Sequence, residues 1–453
     1  MSGKKDRPKY NVIVIGAGHA GCEAALASAR SNIKALMVSI NMDTIELMPF
    51  GNETGGFGQD LLIKEIDFMG GEIYKNIKNN YINLKLERNK TDPLIKTVKA
   101  LVDRRRYSLS MKKVLENQDN LDLRQGLVVD VCRKGKMYDL KTSDGLVYSC
   151  DCVVICTGTF LNAKIFWGKY KIEAGRQGEI CSKSLLGNLK KSGFQFGKIR
   201  NYIAPMVDKK SIKTENLEKL VFKKTHNPFG NDLKNKKQLY SYRTYISGEF
   251  IKYIFKSKEK IISNCNYNSK GKADLLPIEA RILGNKIAGR EEIFIQPVGR
   301  DTNERYLQGL ETALQEELQV EMLKKIDGLE EAEITRPGYG IEYNYLSQLQ
   351  LESDLQSKNM KGIYFAGRIN GTGGYEESAA QGIVAGINAS RKSRGLESIY
   401  FKKEDGCMGM LINNIVFRKK NSQLFRVNPE FKEYIYYYRQ NINGRRIKKL
   451  LKE

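Results

Sequence analysis

Residues Tyr10–Ile15, "YNVIVI", run straight into "GAGHAG" and then into the alanine-rich "CEAALASARS". This succession constrains the fold more than any other feature of the chain. A short apolar run closed by glycine reads as a buried strand, and small residues at helical spacing read as a helix. A second apolar run, "IKALMVS", follows at the distance a βαβ unit requires. In that context Gly16 permits a tight turn, Gly18 lets the backbone approach a pyrophosphate, and Gly21 lets helix and strand pack closely. Ala17 and His19 complete the phosphate loop, and the helix N-terminus draws the phosphates. The acidic residue expected after the second strand to hold a ribose is absent. Ser39, Ile40 and Asn41 stand there instead, leaving Asn41 or Asp43 as its substitute.

A second strand, turn and helix is read in "KGIYFAGRINGTGGYEESAAQGIVAGINASR". Gly367, Gly371, Gly373 and Gly374 free the backbone around an anionic group, with Arg368, Tyr375 and Glu376 in the same turn. Ala379, Ala380 and Gly382 keep the helix slender enough to approach a flat ring. A helix N-terminus aimed at a reduced flavin would stabilise its negative charge, while Glu376 and Glu377 serve as partners of the helix dipole. Between the two units, "CDCVVICTGTFL" reads as a continuous buried strand closed by Thr157, Gly158 and Thr159. These features predict an α/β chain built on a doubly wound Rossmann-type domain.

The 453 residues call for two or three domains. The expected division is 1–181 for the first part of the cofactor domain and 182–288 for an inserted α+β substrate domain. Residues 289–395 form the second part of the cofactor domain, and 396–453 a short basic C-terminal region. Residues 50–123 read as a Gly-rich loop followed by helix-period stretches, and "LDLRQGLVVDVCRKGKMYDLKTSDGLVYS" as an antiparallel meander. The insert mixes basic and aromatic residues in "KKTHNPFGNDLKNKKQLYSYRTYISGEFIKYIFKSKEK".

Lys and Arg number 76 against 52 Asp and Glu, a formal net charge of +24. Such a field concentrates polyanions, so nucleic acid is the leading macromolecular partner. The eight cysteines show no paired CxxC spacing and read as reduced, mostly buried thiols. With only His19 and His226 as histidines, a histidine-rich metal site or a Ser-His-Asp triad has little to be built from, and no metal is expected. "MSGKKDRPKY" leads directly into the first strand and no apolar stretch reaches about 20 residues, so no membrane span and a cytoplasmic location are expected.

At this point the residues carry a resemblance. "VIVIGAGHAGCEAA", "GGFGQDLLIKEIDFMGG", "VVICTGTFLNAKI", "AGRQGE", "EEAEITRPGYGIEYNY" and "YFAGRINGTGGYEESAAQGIVAGINA" resemble, in order, the MnmG/GidA family of FAD-dependent tRNA-modifying enzymes. The resemblance spans roughly residues 8–395. It implies FAD as cofactor, NADH as reductant, and tRNA as substrate with work at position 5 of the wobble uridine. It also implies a GTPase partner, MnmE, and a homodimer. It places Asp103 and Arg104 in an active-site wall and raises Arg176 and Arg336 as candidates. A sister family, the folate-dependent TrmFO methyltransferases, shares the architecture and makes a folate an alternative cofactor.

Modifying position 5 of a uracil needs a nucleophile to add at carbon 6. The family's two functional cysteines fall where Phe50 and Leu275 stand here, with Cys265 the nearest alternative along the chain. "IRNYIAPMVD" replaces the family's "TGTPPR" stretch, and most of the family's long C-terminal helical region has no counterpart. Three readings follow: a uridine-modifying flavoenzyme, an RNA-binding or assembly flavoprotein that lost catalysis, and a small-molecule flavin oxidoreductase.

Overall fold

A computed structural model describes residues 9–88, 96–221, 239–264, 272–273, 276–284, 286–287, 290–347 and 349–417. Strand β1 (Lys9–Ile15) pairs in parallel with β2 (Ala35–Ser39) on one side and with strand Val147–Ile155 on the other. The linking helix α1 (His19–Arg30) packs its alanine face on the sheet, with Ala24, Ala25 and Leu26 fully buried. Strand Ile363–Phe365 adds in parallel to Val147–Ile155, bringing the second glycine-rich turn to the same carboxyl edge as the first. Nearly continuous apolar strands are what a parallel sheet covered on both faces requires.

Strands Val128–Lys134, Met137–Thr142 and Val147–Ile155 form the expected meander. Leu121–Gln125 does not join it. That strand pairs in parallel with β2 at the sheet edge, and just before it Asn120, at φ +63°, accepts from the Ala35 amide through its backbone carbonyl at 2.9 Å. Residues 81–102, expected within helix-period stretches, include an antiparallel hairpin of Tyr81–Arg88 and Lys96–Val102 joined by Glu53–Gly55. Its strands bury Ile82, Leu84, Ala100 and Val102. Burial of alternate residues against neighbours outweighs the weak helical spacing.

Two further sheets stand beside the cofactor-type fold. One has the order Tyr170–Ile172, Lys164–Trp167, Tyr339–Leu346, Phe196–Ile203, Lys272–Ala273; the other holds Glu292–Pro297, Glu304–Gln308 and Ile334–Arg336 among its six strands. Strands on both sides of the 182–288 interval therefore hydrogen-bond into these sheets, and the segment 292–346 belongs to them rather than to the parallel sheet. The chain returns to the parallel sheet at Ile363–Phe365 and continues into helix Tyr375–Ser393, which crosses α1. Much of the basic insert, residues 222–238, and of the C-terminal region, 418–453, lies outside the described residues. Among the described residues no helix is long and apolar enough to cross a membrane.

Candidate cofactor cleft and active-site wall

The carboxyl ends of β1, β2 and Val147–Ile155 open onto a cleft with about 1070 Å³ of empty space, its solvent-filled mouth included. Ligands of open α/β sheets bind at this edge. Gly16, Ala17, Gly18 and His19 form one wall, Thr157 and Gly158 another, and Arg368, Gly374 and Tyr375 a third. Gly18 is exposed, nothing lies within 4 Å of where its Cβ would be, and it starts α1 without a side-chain cap. The first turn of α1 also lacks an acidic residue, so its positive end is uncompensated. Thr157 Oγ1 and His19 Nε2 are buried without hydrogen-bond partners. Open backbone, an uncompensated helix end and orphaned polar atoms fit a bound dinucleotide.

Glycines that do not line the cleft shape it. A Cβ on Gly21 would overlap the Gly16 carbonyl oxygen, and Gly367 holds φ +87° with its Cβ direction 2.8 Å from Ala20 Cβ. Gly371 caps the short turn Arg368–Asn370 in the left-handed region, and Ala379 is fully buried. Asn41 lines the cleft, its Oδ1 accepting from Asp43 N at 2.9 Å, while Asp43 points outward to Lys112 at 3.1 Å. Of the two ribose candidates, geometry therefore leaves Asn41 at the cleft.

At the third wall Tyr375 donates to Gly51 O at 3.0 Å and accepts from Phe50 N at 2.9 Å. Burial, partly offset by the Phe50 amide, pushes its pKa up to about 12. Its ring stacks on His19 with centroids 4.6 Å apart. The Phe50 ring lies under the Arg368 guanidinium, 4.4 Å from centroid to Cζ, so an aromatic–cation pair occupies the place where the resemblance puts a thiol. Leu275 and Cys265 lie outside the described residues. Cys156 is the one described cysteine lining this cleft, and burial pushes its thiol up, which makes it a poor nucleophile.

The charged wall divides into structural and open members. Asp103 is buried, caps helix Arg104–Glu116 by accepting from Arg106 N at 3.1 Å, and accepts from Arg300 N at 2.8 Å. That makes it a positioning residue for the loop after Glu292–Pro297. Arg176 lines the cleft and is tied to Glu179 at 2.6 Å, and Arg336 to Glu304 at 2.6 Å. Arg104 contacts Met206 Sδ at 3.8 Å, and burial pulls its guanidinium pKa down against the effect of the nearby Tyr375. Glu179 went unmarked in the sequence, although it sits in the same "AGRQGE" segment as Arg176.

Behind the phosphate loop, His19 Nε2, Glu46 Oε1 and Tyr107 Oη are all buried without hydrogen-bond partners. His19 and Glu46 approach to 4.0 Å, and the His19 and Tyr107 rings are 5.8 Å apart. Desolvation lowers His19 to about 3, so it is a neutral, shaping residue at physiological pH. Burial and the nearby Glu23 raise Glu46 well above the carboxylate range, while Asn76 opposes the shift. A carboxyl protonated in the fold and ionised in the unfolded chain loses stability as pH rises from the unfolded value toward the folded one. Glu46→Gln keeps the acceptor for Asn76 and removes the proton. It is expected to gain roughly 1 kcal/mol or more over the parent at pH 8 and little at pH 4.5. Urea unfolding at both pH values checks this, and a pH-independent difference would count against a raised Glu46.

Comparison with known proteins accords with this geometry. A family model described as glucose inhibited division protein A matches residues 11–397. A Ligilactobacillus salivarius protein, "tRNA uridine 5-carboxymethylaminomethyl modification enzyme MnmG", is 38% identical over 428 residues, covering 92% of this chain and 67% of the relative. One of the same description from Caldicellulosiruptor saccharolyticus is 36% identical, covering 96% of this chain and 70% of its own. The solved structure of Aquifex aeolicus GidA superposes with a TM-score of 0.88 at 33% identity, over 98% of this chain and 78% of that one. A shared family model, relatives above 30% identity and a shared three-dimensional fold make this chain a member of the glucose inhibited division protein A (GidA/MnmG) family.

Proposed function

We propose that this chain is an FAD-dependent enzyme that modifies uridine at position 5 in tRNA, with the wobble uridine as its target. The observation that carries the reading is the cleft, which runs from an uncapped helix end at Gly18 to the turn at Gly374 and Tyr375. Gly16, Ala17, Gly18, His19 and Gly21 build the pyrophosphate end; Thr157 and Gly158 flank the middle; and Gly367, Arg368, Gly371, Gly374, Tyr375, Glu376 and Ala379 build the ring end. When bound, the flavin supplies electron transfer. The chain's own residues orient it and exclude water, and Arg368 supplies positive charge at the ring end. Net charge of +24 favours the RNA partner.

The same reading carries NADH as reductant, an MnmE-like GTPase as partner, a homodimer and a cytoplasmic location. A folate is the alternative one-carbon source. Stopped-flow reduction of the flavin with NADH, folate titration and copurification check these points separately.

Phe50 favours a second reading, an RNA-binding flavoprotein without catalysis, because its ring packs under Arg368 where an attacking thiol would stand. One preparation separates the two readings. The visible spectrum reports bound flavin, and nucleoside mass spectrometry of cellular RNA with and without the gene reports the modification. Flavin together with a modified uridine that vanishes without the gene supports the enzyme. Flavin with unaltered nucleosides supports the second reading, and protein free of flavin overturns both.

A further inference from the structure

The His19 ring stacks on both Tyr375 and Tyr107, with centroids 4.6 and 5.8 Å away and planes inclined by 24° and 28°. Stacking of this kind leaves the two ring nitrogens as its polar contacts. His19 lines the cofactor cleft and is 5% exposed, yet Nε2 has no share in that exposure. Nε2 turns instead toward Glu46 Oε1, 4.0 Å away, and both atoms are buried without a hydrogen-bond partner. Nδ1 is therefore the nitrogen left to serve the cleft.

Glu46 is fully buried, and its backbone stands at φ +51°, a conformation that residues with a side chain keep only where their surroundings hold them in it. Its amide donates to Ala17 O of the phosphate loop at 2.8 Å. Its two carboxyl oxygens differ. Oε2 accepts from Asn76 Nδ2 at 2.9 Å, and the Asn76 amide is fixed, since Nδ2 also donates to Tyr107 O at 3.1 Å and Oδ1 accepts from Asn80 Nδ2 at 2.8 Å. Oε1 faces His19 with no donor of its own. Among the described residues no lysine or arginine pairs with Glu46, and the acidic groups that face it are Glu23 on α1 and Glu72 ahead of helix Ile73–Asn80. A carboxyl in that setting keeps its proton, and with Asn76 on Oε2 the proton belongs on Oε1.

We infer that Glu46 is a positioning residue for the cofactor: its Oε1–H donates to His19 Nε2 and so fixes the imidazole with its own proton on Nδ1, toward the cleft. Which ring nitrogen carries the proton is set by the hydrogen bond that the other one makes. Closing the 4.0 Å separation to hydrogen-bond length satisfies two buried atoms at once. With the proton on Nδ1, His19 offers the anionic cofactor a donor; with the proton on Nε2 it would present a lone pair to the same anion. The inference rests on the reading of the cleft as an FAD site. Tyr107 Oη, the third buried atom without a partner here, is the competing donor to Nε2, and the test separates the two.

The test is solid-state nitrogen NMR of the full-length protein labelled in its histidine rings, paired with FAD titration at neutral pH. The chain has only two histidines, so His226→Gln assigns the other signal to His19. The parent is expected to show a protonated Nδ1 and a bare Nε2 at His19. Glu46→Leu is expected to lose that pattern and to bind FAD about tenfold more weakly, the worth of one hydrogen bond to a charged group. Glu46→Gln, whose amide can donate to Nε2 while its oxygen accepts from Asn76, is expected to keep the pattern and to stay within about threefold of the parent's affinity. Tyr107→Phe is expected to keep the pattern as well. A parent with its His19 proton on Nε2 overturns the inference without any variant, so a misfolded Glu46→Leu cannot shield it. Retention of the pattern in Glu46→Leu, or its loss in Tyr107→Phe or Glu46→Gln, overturns it too. If the parent binds flavin while His19 carries its proton on Nε2, this inference fails and the reading of the cleft stands; if no flavin binds, both fail.

Discussion

Gly21→Val is expected to strip the purified protein of flavin and to lower its stability together. The first turn of α1 lies so close to β1 that any Cβ at residue 21 would overlap the Gly16 carbonyl oxygen, with Gly16 itself at φ +104° against the Cys156 carbonyl. Backbone cannot yield as the tip of a flexible side chain can. Either the helix lifts from the sheet or the phosphate loop changes shape, and both move the Gly18 amide away from where a pyrophosphate would lie. Overpacking at such a contact costs about 3 kcal/mol, near the upper end of its usual range. The loop shift alone is expected to cut flavin content below about a tenth of the parent's, since the helix-end interaction depends on close approach. Absorbance at the flavin band relative to protein, and the thermal midpoint, measure the two effects. A yellow, fully stable Gly21→Val protein would remove the basis for placing the cofactor at this loop.

The second large effect concerns the crossing of α1 with helix Tyr375–Ser393. A Cβ on Gly382 would overlap the Ala20 carbonyl oxygen, and one on Gly386 the Ala24 carbonyl oxygen, so the two helices meet backbone to backbone. Replacing Gly382 by Val should raise intrinsic helix propensity by a few tenths of a kcal/mol. The overlap costs about 1–3 kcal/mol or more, so the steric term decides the sign. Gly382→Val is therefore expected to unfold at clearly lower urea concentration, with Lys392→Ala, an exposed change on the same helix, leaving the midpoint in place. Because this helix carries Tyr375 and Glu376 on its first turn, the variant should also bind flavin more weakly. Equal midpoints for the two variants would show that the helices separate without cost.

These two glycines also show how far the sequence reaches. The spacing of Gly16, Gly18 and Gly21 between an apolar strand and an alanine-rich helix had to produce a strand–turn–helix unit. Only glycine allows the turn and the close approach, and only buried strands tolerate an uninterrupted apolar run. The second unit, around Gly367 to Gly386, was legible for the same reason. Local rules of this kind depend on neighbours in the chain, and the sequence contains them all.

Contacts between distant segments obey no such rule. The pairing of Leu121–Gln125 with β2 was hidden because a short edge strand carries the same alternation whether its partner runs parallel or antiparallel. The hairpin at residues 81–102 was hidden because its Lys and Arg residues fit a helical face as well as an exposed strand face. Strands as far apart as Lys164–Trp167 and Tyr339–Leu346 share one sheet, so the extent of the substrate region could not be read from a composition shift.

The site divides in the same way. Sequence alone determined the glycine-rich strand–turn–helix unit whose turn lies at the carboxyl edge of a parallel sheet, since that unit is a local structure. Only the tertiary structure decided that Phe50 packs under Arg368 and that Asp103 is a helix cap rather than an open acid. The physical reason is that a side chain's charge state, orientation and unmet hydrogen bonds are set by groups brought to it from elsewhere in the chain, and those groups are fixed only once the core has packed.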